Sequence, residues 1–121
     1  MKKLFYALSA ILLPFVPLAA KTYVVKSPDK AYKLTVTAGE GPTAYSVDYK
    51  GKTVINNSVI GIQTTDGRHI GDGTVASTRK SSHKGTVDVV VGKNKTLDDN
   101  YNQLTLVYDG GDYNLTLRAY N

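Results

Sequence analysis

The chain has 121 residues, with 15 Lys and Arg against 10 Asp and Glu, two His, nine Tyr, no Cys and no Trp. Without cysteine there is no disulfide framework, no thiolate metal site, no cysteine nucleophile and no lipid anchor on an N-terminal Cys. The basic excess is scattered, with no run longer than Arg79-Lys80 after residue 20. This differs from the clustered patch of nucleic-acid binders, so no nucleic-acid partner is expected.

Residues 1–20, "MKKLFYALSAILLPFVPLAA", carry Lys2 and Lys3, then an apolar run from Leu4 to Leu18, then Ala19-Ala20. A charged start, a short apolar stretch and a small-residue exit predict a secretory signal peptide. The run is too short, and too interrupted by Pro14 and Pro17, for a good membrane span. The expectation is an exported bacterial product, periplasmic or secreted, with no membrane association once the leader is removed. Residues 21–121 would then form one domain. Removing Lys2 and Lys3 from the formal charge of +5 leaves +3, and both Phe residues depart with the leader. A chain this short builds one modest core, because small domains bury a smaller share of their surface.

Past the leader, short β-rich runs follow one another. They are "TYVVK" (22–26), "YKLTVT" (32–37), "TAYSVDY" (43–49), "KTVI" (52–55), "SVIGI" (58–62), "GTVDVVV" (85–91), "QLTLVY" (103–108) and "DYNLTLRAYN" (112–121). Tyr32, Leu34 and Val36 alternate with Lys33, Thr35 and Thr37, and Tyr113, Leu115, Leu117 and Ala119 with their polar neighbours. Period-two alternation of this kind predicts strands with one dry and one wet face. Turn chemistry separates them. Ser27-Pro28-Asp29-Lys30 suits a type I turn, Lys50-Gly51 a tight hairpin loop, and Asp109-Gly110-Gly111-Asp112 a further hairpin. The stretch 64–85 is the least patterned and predicts a long mobile loop. Many short strands broken by turns predict an all-β, antiparallel β-sandwich.

Candidate sites are sparse. "DGRHIGDG" (66–73) gathers Asp66, Asp72 and His69, but a calcium loop needs more carboxylates and a closing Glu, and Glu40 is the single Glu in the chain. His69 and His83 lack the spacing of a zinc site. No serine stands in a Gly-x-Ser-x-Gly setting, and neither His has a partner motif. Asp98 and Asp99 are adjacent, so on a strand they would point to opposite faces. Glycoside hydrolysis, for comparison, needs two carboxyl groups flanking one bond. Asn56, Asn94 and Asn114 open N-x-[ST] sequons that need carry no meaning in a bacterial product. The expectation is therefore no catalytic, cofactor-binding or metal-binding residue in this chain. Tyr45, Tyr49, Tyr101, Tyr108 and Tyr113 lie on or beside strands. They raise two alternatives: a stand-alone carbohydrate-binding sandwich, and an envelope adhesion or assembly protein that takes strands from partners.

In order along the chain, "VVKSPD" (24–29), "YSVDYKGKTVINNSVIGI" (45–62), "YNQLTLVY" (101–108) and "LTLRAYN" (115–121) resemble the N-terminal domain of glycoside hydrolase family 97. The likeness spans nearly all of 22–121 and is weakest across 64–92. Gln103 stands where that family often carries Glu, which puts a charged contact of this strand in doubt. The resemblance implies a galactose mutarotase-like β-sandwich, incomplete at its C-terminal strand, that packs on a catalytic (β/α)₈ barrel normally in the same chain. It implies an exo-acting, calcium-dependent α-glucosidase or α-galactosidase acting on α-linked oligosaccharide. The catalytic carboxylates and most calcium ligands would lie outside these residues, and the role of this segment would be architectural.

Overall fold

A computed structural model describes residues 20–39, 41–93, 95–110 and 112–121. The predicted leader apart from Ala20, together with Glu40, the Asn94 sequon and Gly111 of the last hairpin, lies outside the described residues.

Among the described residues, eleven strands form four antiparallel sheets. The first sheet is a meander in the order β1-β2-β3-β4, from β1 (Lys21–Lys26), β2 (Tyr32–Ala38), β3 (Thr43–Tyr49) and β4 (Lys52–Ile60). The second, ordered β11-β10-β7, joins β7 (Val75–His83), β10 (Tyr101–Tyr108) and β11 (Asn114–Tyr120). Two small ribbons complete the chain: β5 (Ile62–Gln63) with β6 (His69–Ile70), and β8 (Thr86–Asp88) with β9 (Thr96–Asp98). The all-β, sandwich-like expectation stands.

The core forms where β1 and β2 lie across β10 and β11. Val25, Val36 and Ala38 from one sheet meet Leu104, Leu106, Tyr108 and Ala119 from the other, all buried. In β10 the buried positions are Leu104, Leu106 and Tyr108, which is the period-two signal seen in the sequence. Leu115, Leu117 and Ala119 of β11 likewise turn inward, as their alternation predicted.

Turn chemistry acts where it was expected. The amide of Lys30 donates to the Ser27 carbonyl at 2.9 Å, closing the Ser-Pro-Asp-Lys turn, and Ser27 itself is buried. Lys50 and Gly51 hold φ of 48° and 81°, so the hairpin loop between Tyr49 and Lys52 takes positive φ at both central positions, as a type I′ turn requires.

Three expectations need correcting. The mobile loop predicted over 64–85 instead contains β7, nine residues paired with β10 from Tyr101↔His83 onward. All of β7 after Val75 is exposed, so it has no dry face to leave a period in the sequence. The two runs 52–55 and 58–62 are largely one strand, β4, and Asn56-Asn57 is not a break. The register with β3 shifts there, Asn57 takes φ of 46°, and its amide donates to Ser46 Oγ at 2.9 Å. That is a bulge, which inserts residues without ending a strand. Finally, only Thr86–Asp88 of the run 85–91 is strand. Val90 and Val91 are 97% and 86% exposed, because no sheet lies beneath them.

One buried polar link crosses the core. The hydroxyls of Thr43 on β3 and Tyr108 on β10 hydrogen-bond to each other, and burial pushes the Tyr108 pKa up. Removing one partner strands the other without water. Thr43→Val or Tyr108→Phe alone should therefore lower stability by about 1–3 kcal/mol, with the double variant losing less than the sum of the two. Chemical denaturation of the four chains measures this directly.

Candidate functional site

The singled-out residues do not converge. Asp66 accepts from the Thr64 hydroxyl within its own turn, and hydrogen bonding from Thr64 holds its carboxyl below the usual carboxylate range. Asp72 forms a backbone bridge with Pro42, and its carbonyl accepts from the Tyr113 hydroxyl. His69, on β6, is exposed and pairs across the ribbon with Gln63. The Asp-Gly-rich stretch is thus structural. At its centre Gly71 has φ of 115°, and a side chain there would meet the Ile60 carbonyl oxygen at 2.5 Å. That close approach lets the Gly71 carbonyl accept from the Thr43 amide at 2.9 Å while its amide donates to Tyr113 at 3.2 Å. Among the described residues, no group of three or more His, Asp or Glu side chains is placed to hold a metal ion. The described side chains do not fit the calcium that the resemblance implies.

Asp98 and Asp99 have different settings. Asp98 ends β9 and pairs with Thr86, whereas Asp99 Oδ2 reaches His83 Nε2 at 3.3 Å. Sequence reasoning missed this His83–Asp99 contact, since it exists only because β7 returns to pair with β10. The His83 ring then stacks on Tyr101 at 5.2 Å, and Tyr101 meets Tyr120 at 5.0 Å. On the same outer face the Arg118 guanidinium lies 4.6 Å over Tyr101 and donates from Nε to Gln103 Oε1 at 2.8 Å. The Gln103 amide therefore still engages Arg118, without charge of its own.

The tyrosines mainly pack on one another. Tyr108 is buried and stacks against Tyr113 at 4.8 Å, so neither is free as a sugar platform. Tyr45 packs against the core. Tyr49 is 38% exposed and lies 4.8 Å from Tyr32, with Lys50 Nζ 5.2 Å above its ring.

Beside the His83 cluster is an open polar hollow of about 470 Å³ whose lining includes Asp29, His83, Lys84, Asn100, Asn102 and Asn121. Several of its polar atoms already serve the fold. Asn102 Nδ2 donates to the Lys26 carbonyl at 2.8 Å, Asn121 Oδ1 accepts from the Asp29 amide at 3.0 Å, and Asn100 Oδ1 accepts from the Gly85 amide at 3.1 Å. The hollow is a seam that ties the Ser27–Lys30 turn to the ends of the second sheet. It holds no pair of carboxyl groups.

The glycosyl-hydrolase 97 N-terminal family matches residues 25–121. This chain belongs to that family. It is 30% identical to a retaining alpha-galactosidase of Bacteroides thetaiotaomicron, over all of this chain and 18% of the relative's length. A glycoside hydrolase family 97 enzyme of Pseudoalteromonas sp. strain K8, solved with acarbose, superposes with a TM-score of 0.70 at 22% identity. That superposition covers 82% of this chain and 16% of the enzyme. A beta-arabinopyranosidase structure gives 0.69 at 25% identity, over 81% and 16% of the two chains. The chain thus spans under a fifth of the proteins it matches.

The Ser-Pro-Asp-Lys turn carries a titratable element. Hydrogen bonds from the Ser27 hydroxyl and the Ala31 amide hold the Asp29 carboxyl below its ordinary pKa. A carboxylate depressed by folding contributes stability above its unfolded pKa and loses it as pH falls through the folded value. Wild type should therefore lose part of its stability between about pH 5 and pH 2, and Asp29→Asn should show a flatter profile there. Melting temperature against pH for both chains is the measurement.

Proposed function

We propose that this chain is the non-catalytic N-terminal β-sandwich segment of an exported α-glycosidase, supporting a catalytic (β/α)₈ barrel and its carbohydrate pocket. The family match over residues 25–121 carries the reading. The small share of each relative that the chain spans fits a catalytic domain elsewhere in a longer polypeptide. Glycoside cleavage needs an acid and a second carboxyl group across one scissile bond. Asp99 meets His83, Asp66 accepts from Thr64 in its own turn, and Asp72 bridges Pro42 through its backbone. The α-linked substrate and the calcium would accordingly be held by residues outside this segment. The leader-like sequence of residues 1–20 supports export to the periplasm or medium.

The purified chain should release no sugar from aryl α-galactosides or aryl α-glucosides, followed by absorbance of the freed phenolate. Turnover that survives further purification would overturn the non-catalytic assignment.

A further inference from the structure

The second sheet turns one face to the core and leaves the other bare. β10 keeps an unshifted register with β11 and with β7 from Tyr101 to Val107, so side chains pointing away from Leu104 and Leu106 stand in straight rows across three strands. One row is His83, Tyr101 and Tyr120, and the next is Ser81, Gln103 and Arg118. The third is Arg79, Thr105 and Thr116. With neighbouring strands about 4.8 Å apart, the rows make a field roughly 10 Å wide.

The first row is a continuous aromatic edge, and Tyr120 at its end is 44% exposed. The other two rows carry hydroxyls, one amide and two guanidinium groups. No carboxylate stands in any of the three. Asp99, which reaches the aromatic row, is paired with His83. Arg79 and Arg118 form no ion pair among the described residues. Arg118 is nevertheless held in place, by the Tyr101 ring and by its hydrogen bond to Gln103. Gln103 Nε2 in turn donates to Thr105 at 3.4 Å, and the Thr105 and Thr116 hydroxyls lie 3.3 Å apart. The field is thus ordered before any ligand arrives, which lowers the cost of binding. Over it lies an open hollow of about 500 Å³ whose lining includes Arg79, Ser81, Gln103, Thr105 and Asn114.

Two unpaired, planar cations without a neighbouring carboxylate select an anion, and guanidinium matches carboxylate in shape. Hydroxyl and amide groups beside an exposed aromatic ring suit sugar, whose ring has polar edges and an apolar face. A nucleic acid asks for a denser basic stripe. A membrane asks for an apolar face, and here Val107 is the one aliphatic side chain in the outward rows. A peptide asks for a strand edge or an apolar groove, which the middle of this field does not offer.

We propose that the outer face of the β7–β10–β11 sheet binds an acidic oligosaccharide, one whose sugars carry carboxylates. Arg79 and Arg118 take carboxylates, Ser81 and Gln103 meet hydroxyls, and Tyr120 packs on a sugar ring. The proposal is independent of the non-catalytic reading above, since it concerns binding alone.

The test is titration of the full chain with hexagalacturonate, followed by calorimetry and by amide chemical shifts. Binding should appear, with the shifts concentrated at Ser81, Gln103 and Arg118. Two controls separate sugar from charge: the fully methyl-esterified hexasaccharide and hexaglutamate should each bind at least about tenfold more weakly. Arg79→Gln and Arg118→Gln should each weaken binding about tenfold, the scale of one hydrogen bond to a charged group. Lys33→Gln, exposed on the other sheet, should leave it unchanged. Arg79 is exposed and outside every ion pair among the described residues, so its variant reads binding even where Arg118→Gln loses the Tyr101 contact. No binding of hexagalacturonate, equal binding of either control, shifts confined to the other sheet, or unchanged affinity in Arg79→Gln would overturn the proposal. So would an equal loss on Lys33→Gln.

Discussion

The contact on which the molecule depends is the crossing of β1–β2 over β10–β11. Val25, Val36 and Ala38 are buried with Leu104, Leu106, Tyr108 and Ala119, and Leu34, Tyr45, Leu115 and Leu117 pack around them. Burying a side chain of this class contributes roughly 1.5–3 kcal/mol, and only a few are buried in full. The chain between the two halves must be closed into a loop before any of that is gained, at an entropic cost that rises slowly with length. Net stability in so small a domain is a narrow difference between these opposed terms. Hydrogen bonds between the sheets accompany this contact, from Thr43 to Tyr108 within the core and, at its margin, from Asn102 to Lys26 and from the Asp29 amide to Asn121. They fix how the sheets lie without adding core, and each loses its geometry if the crossing slips.

That crossing also decides which strands were legible in the sequence. β2, β10 and β11 touch it, so one face of each is dry and every second residue is apolar. β7 reaches it only at Val75. Its residues Ala76 to His83 face water on both sides, and its strand conformation is set by pairing with β10 rather than by burial. A strand specified by its neighbour leaves no period of its own. The bulge at Asn56-Asn57 hid β4 for a related reason, since two consecutive asparagines carry the chemistry of a turn while the backbone here only slips its register. Val89, Val90 and Val91 misled in the opposite sense. Their β-propensity is high, but propensity measures fit to a half-buried surface, and none lies under Val90 or Val91.

The site residues show the same division between local and long-range information. The turn chemistry of Ser27-Pro28-Asp29-Lys30 and of Lys50-Gly51 is local, and it was readable. The adjacent Asp98 and Asp99 differ in setting, since Asp98 ends β9 whereas Asp99 lies past the strand and meets His83. The contacts His83–Asp99, His83–Tyr101 and Arg118–Tyr101 join residues whose separation along the chain carries no motif. They could be found only once β7, β10 and β11 were placed side by side. Gln103 shows how little a single letter settles. It lacks the carboxylate expected of the family, yet its amide oxygen still accepts from Arg118 at 2.8 Å. An exposed ion pair in its place would contribute only about 0–1 kcal/mol, so the fold has little reason to require charge there.

Superposition at a TM-score of 0.70 with 22% identity is intelligible in these terms. The sandwich asks for alternation in a few strands, positive φ at a few turns, and one glycine close enough to a carbonyl to exclude a side chain. Many sequences satisfy such demands, so shape persists where identity does not. Chemistry is more exacting, because an acid and its partner must face one atom, and no such geometry exists among the described residues at 66–72 or 98–99. The described residues thus form an all-β, sandwich-like domain in which Asp29 and Asp66 hold turns and Asp99 meets His83.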